Sequence, residues 1–275
     1  MSAAGASIAA RGITKVYGEG ASAHHALGPI DLDVAAGEFV SLIGPSGCGK
    51  STTMLLVSGL EPASAGEIRV DGRPLTAPLS DVGIVFQDHL LLEFRTAMAN
   101  VMLQQQIRGL DKKATRATAA ALFERLGLAG ADDRYPSQLS GGMRQRVSIA
   151  RALVHQPSML LMDEPFGALD AITRTQIRHD LELLWLETRK TVLFITHSIE
   201  EAIGLSDRVL VMSKSPGTVV DEIIVNLPRP RPAHLGEYPE FAAYAKRIYE
   251  TFEKLGVYHF AHQEPAATSK LGPPQ

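Results

Sequence analysis

The residues of this chain best suited to chemistry fall into three short groups. Gly44-Pro45-Ser46-Gly47-Cys48-Gly49-Lys50-Ser51 has its glycines, lysine and hydroxyl at the spacing of a phosphate-binding loop. Glycines let such a loop curl until its N–H groups converge on phosphate oxygens, and the helix that follows adds its positive end. Lys50 is then placed to reach the β- and γ-phosphates of a nucleotide, and the Ser51 hydroxyl to ligate Mg²⁺. The second group, Leu160-Leu161-Met162-Asp163-Glu164, is an apolar run ending in two carboxylates. Beside a phosphate loop, Asp163 suits a Mg²⁺ ion held through water, and Glu164 suits the activation of a water molecule as general base. The third, Leu139-Ser140-Gly141-Gly142-Met143-Arg144-Gln145-Arg146, opens a helix whose apolar face is Met143, Val147, Ala150 and Leu153. Ser140 can cap that helix, leaving the Gly141 and Gly142 N–H groups at an end that attracts anions.

Positioning these groups requires strands that end where the chemistry begins. Phe39 to Ile43 reads as a buried strand leading into the phosphate loop. Val82 to Phe86, Met159 to Met162, Val192 to Ile195 and Val209 to Met212 are similar apolar runs, each bounded by polar residues, Pro or Gly. Short apolar runs alternating with helical patterns predict a mostly parallel sheet covered by helices. Ile8 to Val16 and Ile30 to Val34 read as strands at a sheet edge, and Asp71-Gly72 as a hairpin turn. From about Leu90 to Gln156 the pattern turns helical, including Lys113 to Leu126, and predicts a helical subdomain inserted in the α/β core. Past Leu227, Pro228-Arg229-Pro230-Arg231-Pro232 reads as an extended, solvated linker. Pro239 to Leu255 then reads as an amphipathic helix, and the last dozen residues as a disordered tail.

The composition excludes several classes. The chain has 275 residues, 45% hydrophobic and 21% charged, enough for a large α/β domain with a full core. A net charge of −3, with acids and bases nearly balanced, offers no footprint for nucleic acid. The single cysteine excludes an intrachain disulfide framework and fits a reducing cytosol. No signal peptide is evident, and no apolar run approaches the ~18 residues that span a bilayer, so any membrane part must come from other subunits. Cys48 reads as a small filler, His24-His25 as part of a polar loop, and Trp185 as a packing residue. His259-x-x-His262 has metal-compatible spacing but lacks an acid or cysteine partner.

Together, over about residues 8–227 and in the family's order, these motifs resemble the ATP-binding subunit of an ABC transporter. The resemblance implies a phosphate-loop NTPase (RecA-like) core with an antiparallel β edge and the inserted helical subdomain, followed by the linker, helix and tail of residues 228–275. It implies ATP and Mg²⁺ as ligands, with ATP held by Tyr17, Gly44, Pro45, Ser46, Gly47, Cys48, Gly49, Lys50, Ser51 and Thr52. Tyr17 would stack on adenine. Ser51, Gln87 and Asp163 would serve the metal, and Glu164, His197 and Gln87 the hydrolysis. Ser140, Gly141 and Gly142 would close in trans over ATP held by a second copy, with Asp170 of Gly167-Ala168-Leu169-Asp170 touching its twin.

Asp88 to Arg95 resembles the surface that meets a membrane subunit, departing from the common pattern at Glu93-Phe94, where many relatives carry Pro-Trp. The stretch Asp163 to Leu184, His197 to Ala202, Ser215-Pro216-Gly217 and Leu227 to Arg231 resemble the nitrate/sulfonate/taurine importer group. That implies a homodimer beneath integral membrane permeases on the cytoplasmic face of the inner membrane, served indirectly by an extracytoplasmic substrate-binding protein. A DNA-repair or chromosome ATPase of the same family would need a coiled-coil insertion, for which the stretch from Gln87 to Ser140 is too short. A translation-factor type would carry a second phosphate loop, and none is present.

Overall fold

The computed structural model describes residues 5–167 and 169–257. Its strands are β1 (Ile8–Tyr17), β2 (His24–Val34), β3 (Phe39–Ile43), β4 (Ala65–Val70), β5 (Arg73–Pro74), β6 (Val82–Val85), β7 (Met159–Asp163), β8 (Thr191–Thr196), β9 (Arg208–Met212) and β10 (Val219–Ile224). Its helices are α1 (Lys50–Val57), α2 (Ala97–Val101), α3 (Leu103–Arg108), α4 (Lys112–Arg125), α5 (Gly141–Leu153), α6 (Ala171–Thr188), α7 (Ile199–Leu205) and α8 (Pro239–Lys254).

The six-stranded sheet has the order β10-β9-β3-β8-β7-β6. Five of its strands are parallel, and β10 runs antiparallel to β9 at one edge. Every residue of β3, β7 and β8 is buried, as expected of parallel strands covered on both faces. Alternation assigns the two faces: Phe39, Leu160, Met162, Val192 and Phe194 join the core beneath α5 and α6. Val40, Leu42, Met159, Leu161, Leu193 and Ile195 join the core with α1 and the second sheet. Trp185 of α6 sets its ring edge-on against Phe39, 5.7 Å between centroids, so it is a packing residue as expected. Between β6 and β7, neighbours in the sheet, the chain runs out through α2 to α5.

Three expectations need correction. The strands expected at a sheet edge form a separate four-stranded antiparallel sheet, β2-β1-β4-β5, because β1 pairs with both β2 and β4. His24 and His25 lie in β2, opposite Tyr17 and Val16, not in a loop. Residues 228–232 are extended but not solvated. The Arg231 side chain is only 1% exposed, its amide donates to Glu182 on α6, and its guanidinium donates to the Ile203 and Ser206 carbonyls. Arg229 pairs with Glu182 and Asp207 and lies over the Trp185 ring. The segment is an arginine strap that locks α6 and the end of α7 to the approach to α8. The expected C-terminal helix forms as α8, with Ile248 and Phe252 buried against α7 and β9. The tail after Val257, including His259 and His262, lies outside the described residues.

Candidate active site

The parallel strands bring their carboxyl ends to one edge, the usual ligand site of such sheets. Ile43 pairs with Thr196 and Asp163 with Ile195, so the phosphate loop, the acid pair and His197 emerge side by side. Extending the β6–β7 register, which sets Val85 against Met162, places Gln87 level with Glu164. Gln87 is exposed there and makes no hydrogen bond among the described residues.

The phosphate loop turns at Gly49 (φ 100°), where a Cβ would sit 2.7 Å from the Ala26 carbonyl oxygen; α1 then starts at Lys50. Lys50 is buried, and its ammonium donates to the Gly44 and Pro45 carbonyls at 2.9 and 3.0 Å while standing 3.9 Å from Glu164 Oε1. Its reach thus spans the loop's concave side and the acid pair. Pro45, Gly49 and Thr52 are half-buried, whereas Ser46, Gly47 and Ser51 are exposed at the loop's mouth. Cys48 faces inward, 1% exposed, with Sγ 4.0 Å from Met212 Sδ, and burial pushes its thiol pKa up. That is the filler role; the Cys48 amide itself donates to the Pro45 carbonyl at 3.4 Å. The loop also rests on Gly217, where a Cβ would come 1.8 Å from the Cys48 carbonyl oxygen.

Asp163 ends β7 and is buried, and burial raises its pKa while a hydrogen bond with Ser51 draws it back. Its Oδ1 is shielded and has no protein partner. An orphaned hard oxygen beside a serine hydroxyl fits Mg²⁺, which takes one or two protein oxygens and fills its remaining positions with water and phosphate. Among the described residues no group of three or more His, Cys, Asp or Glu could hold a metal ion. Glu164 adopts φ 42°, its amide donating to the Ile195 carbonyl, which aims the side chain across the strand ends. His197 Nδ1 lies 3.0 Å from Glu164 Oε2. The carboxylate is 18% exposed and the imidazole 59%, so the pair meets solvent from the histidine side.

The remaining expected residues stand apart from this group. Tyr17 ends β1, exposed, with the Lys15 ammonium 4.9 Å above its ring. Ser140 caps α5 by accepting from the Met143 amide at 3.2 Å. Gly141 is half-buried, and among the described residues a Cβ there would find only the Arg144 side chain, at 4.0 Å. Asp170 caps α6 through the Thr173 amide, which draws its carboxyl below the usual range. Among the described residues no hydrogen bond joins Ser140, Gly141 or Gly142 to the phosphate loop of the same chain.

Two supporting devices were not foreseen. Asn100, fully buried, donates to the carbonyls of Leu92, Arg95 and Thr96 and accepts from the Leu92 amide. With Arg151, which donates to the His89 and Leu90 carbonyls, it holds residues 88–95 in shape and leaves Leu90 and Phe94 exposed. An asparagine inside the apolar turn Ala97–Val101 was the available signal. The seat under Cys48 is the other: Gly217 had been read only as part of a group resemblance.

A parallel sheet with a phosphate loop, an acid pair and a histidine on its carboxyl edge is a phosphate-loop NTPase. Residues 27–167 match the family described as ABC transporter. The taurine import ATP-binding protein TauB of Yersinia pestis bv. Antiqua is 46% identical over 73% of this chain and 79% of its own. The aliphatic sulfonates import ATP-binding protein SsuB of Bacillus cereus is 38% identical over 90% of this chain and 96% of its own. Among solved structures, the dimeric ABC transporter cassette MJ0796 superposes with a TM-score of 0.71 at 33% identity, covering 80% of this chain and all of that one. A post-hydrolysis state of the same cassette, bound to ADP and Pi, gives 0.72 at 32%, with the same coverage. The chain belongs to the ABC transporter family, as an ATP-binding and ATP-hydrolysing subunit that works with Mg²⁺. Among its described residues no helix is long and apolar enough to cross a membrane.

Proposed function

We propose that this chain powers an importer of a small anion, of the nitrate, sulfonate or taurine class, by closing head-to-tail on a second copy of itself. The observation that carries the reading is the capped start of α5: Ser140 accepts from the Met143 amide, and among the described residues no hydrogen bond joins Ser140, Gly141 or Gly142 to the phosphate loop of their own chain. In the closed pair, Ser140 and the Gly141 and Gly142 amides would meet the γ-phosphate held by the other copy's phosphate loop. Charge-assisted hydrogen bonds of about 1.5–3 kcal/mol each would make closure depend on that phosphate. The relatives named for taurine and aliphatic sulfonates support the substrate class.

Hydrolysis then follows from the edge geometry. Lys50 turns from the Gly44 and Pro45 carbonyls to the β- and γ-phosphates, and Tyr17 stacks on the adenine. Asp163 and Ser51, with Gln87 in support, would hold the Mg²⁺, which offsets phosphate charge when bound. Glu164 accepts a proton from the water whose oxygen attacks the γ-phosphorus, and ADP leaves as the bond to its β-phosphate oxygen breaks. His197 holds Glu164 in line. Asp170 contacts its twin across the closed interface. Leu90 and Phe94, on the segment braced by Asn100 and Arg151, supply the apolar contact for a permease on the cytoplasmic face of the membrane, and Phe94 takes the place of the family's usual aromatic. An extracytoplasmic binding protein would deliver the anion from the far side.

The test is size-exclusion with light scattering on Glu164→Gln, with and without ATP–Mg²⁺. We expect a dimer only with ATP, and hydrolysis slowed by about 10²–10⁴. Ser140→Arg in the same background should abolish that dimer while sparing ATP binding. ATP-dependent dimerisation that survives Ser140→Arg would refute the role of α5 in trans.

A further inference from the structure

A continuous set of contacts within one chain joins the start of α5 to His197. Gly142 rests on α6: a Cβ there would come 2.6 Å from Thr173 Cγ2 and 3.9 Å from Leu169 Cδ2. Displacing the start of α5 therefore presses on the first turn of α6. The next residue along α6, Arg174, donates from Nη2 to the Leu169 carbonyl at 2.9 Å. Its Nε is shielded from solvent and hydrogen-bonds to nothing, standing 3.6 Å from Glu201 Oε1.

Glu201, on α7, is 6% exposed at its side chain and has Arg174 as its ion-pair partner among the described residues. Its other oxygen accepts from Thr196 Oγ1 at 2.5 Å. Its amide donates to the capping Ser198 Oγ, and the Ser198 amide donates to Thr196 Oγ1. Both neighbours of His197 are therefore tied to Glu201, and His197 touches Glu164. Arg178, one turn further along α6, also feels the charge of Glu201, but its guanidinium donates to the Pro232 and Ala233 carbonyls. A polar cavity of about 90 Å³ beside Arg174, bounded by Thr175, Ser198 and Glu200, leaves room for the pair to tighten. Burial pushes the Glu201 carboxyl up, while the hydrogen bond from Thr196, and after it the charge of Arg174, favours its ionised form.

We propose that Arg174 is a positioning residue for ATP hydrolysis: through Glu201 it couples the surface offered to a partner, Gly142 with Leu169 and Asp170, to the His197–Glu164 pair of the same chain. The inference rests on the head-to-tail reading above. When the partner seats on α5 and the Leu169–Asp170 turn, α6 shifts, Arg174 closes onto Glu201, and Thr196 and Ser198 fix His197 for its work on Glu164. Each copy thereby completes its partner's site and, by the same movement, readies its own.

The experiment uses the full-length protein carrying Arg174→Ala, Arg174→Lys, Glu201→Gln or the Arg174→Ala/Glu201→Gln pair. For Arg174→Ala we expect kcat to fall by about tenfold, within the roughly two- to thirtyfold typical of coupling energies. KM for ATP should stay within about twofold, and the Hill coefficient should drop toward one. Arg174→Lys, which keeps the charge, should recover most of the rate. Glu201→Gln, which still accepts from Thr196, should lower kcat as Arg174→Ala does, and the double variant should be no slower than either single one.

An unchanged kcat overturns the proposal. So does a fall in kcat matched by equal losses of ATP affinity and thermal midpoint, which would mark a scaffold role. Additive effects in the double variant overturn it as well. Should Arg174→Ala fail to fold, the lysine and glutamine variants decide the matter by the same criteria. ATP-dependent dimerisation of Glu164→Gln separates the two readings: a dimer with unaffected Arg174 variants sinks the coupling alone, and a persistent monomer sinks the head-to-tail reading with it.

Discussion

Glu182→Gln tests whether the arginine strap is an integral part of the fold. The Glu182 carboxylate, 1% exposed, accepts from Arg229 Nη1 and from the Arg231 amide, both at 2.9 Å. Among the described residues Arg231 donates its guanidinium only to carbonyls, and burial first, then the neighbouring Arg229, lowers its pKa to about 10. Glutamine keeps the shape of the side chain, so no cavity opens. What changes is the loss of the negative charge between two buried cations, and an NH₂ group where one donor needs an acceptor. Breaking a buried pair costs about 3–5 kcal/mol. Asp207 Oδ1, 2.9 Å from Arg229 Nη2, remains and argues for the lower end. At roughly 2–4 °C per kcal/mol for a chain of this size, a cost of about 3 kcal/mol lowers the melting midpoint by about 6–12 °C. The assay is calorimetry of both proteins in one buffer without nucleotide, since bound ligand shifts the midpoint by mass action. Glu187→Gln serves as the control: its pair with Arg125 is half-exposed, and it should move the midpoint by no more than about 2 °C. A drop below about 3 °C for Glu182→Gln would refute the argument and mean that the strap's charges are solvated.

Gly217→Ala should lower ATP affinity by about tenfold or more in calorimetric titration, because the new methyl would displace the phosphate loop at Cys48; unchanged affinity would dismiss the seat. His155 sets a pH dependence. Burial, then the charge of Arg108, holds its imidazole at about 4, below the ordinary 6.5. Between those values the unfolded chain binds a proton that the fold refuses, so this residue costs stability as pH falls through the window. Melting midpoints measured from pH 7 to 4.5 should therefore fall less steeply for His155→Gln than for the parent, and parallel slopes would contradict the assignment.

The catalytic edge was legible because parallel strands buried on both faces read as unbroken apolar runs, with chemistry where each run stops. That rule locates the phosphate loop after Ile43, and Asp163 and Thr196, at the ends of β3, β7 and β8. Glu164 and His197, 33 positions apart, meet because β7 and β8 are adjacent. The strap was not legible. Alternating prolines correctly read as extended, but the burial of Arg229 and Arg231 depends on Glu182, 47 and 49 positions earlier, and no local pattern carries that pairing. β10 escaped notice for a related reason. An edge strand with Asp221 and Glu222 at its centre and an exposed Ile224 has the composition of a loop until β9 is beside it. The second sheet depends on the pairing of β1 with β4, equally remote in sequence.

The strap also puts a clock on the making of the protein. Glu182 is synthesised 49 residues before the amide of Arg231 that it receives. At about 5–20 residues per second, its carboxylate waits roughly two to ten seconds for its second partner. Until then α6 carries a charge that it cannot bury, and its seat against Phe39 stays unfinished. The same helix opens at its cap Asp170, the residue proposed above to meet a second copy. On the head-to-tail reading proposed above, a half-made chain would lack a settled face to offer its twin, and pairing would wait until the strap is complete.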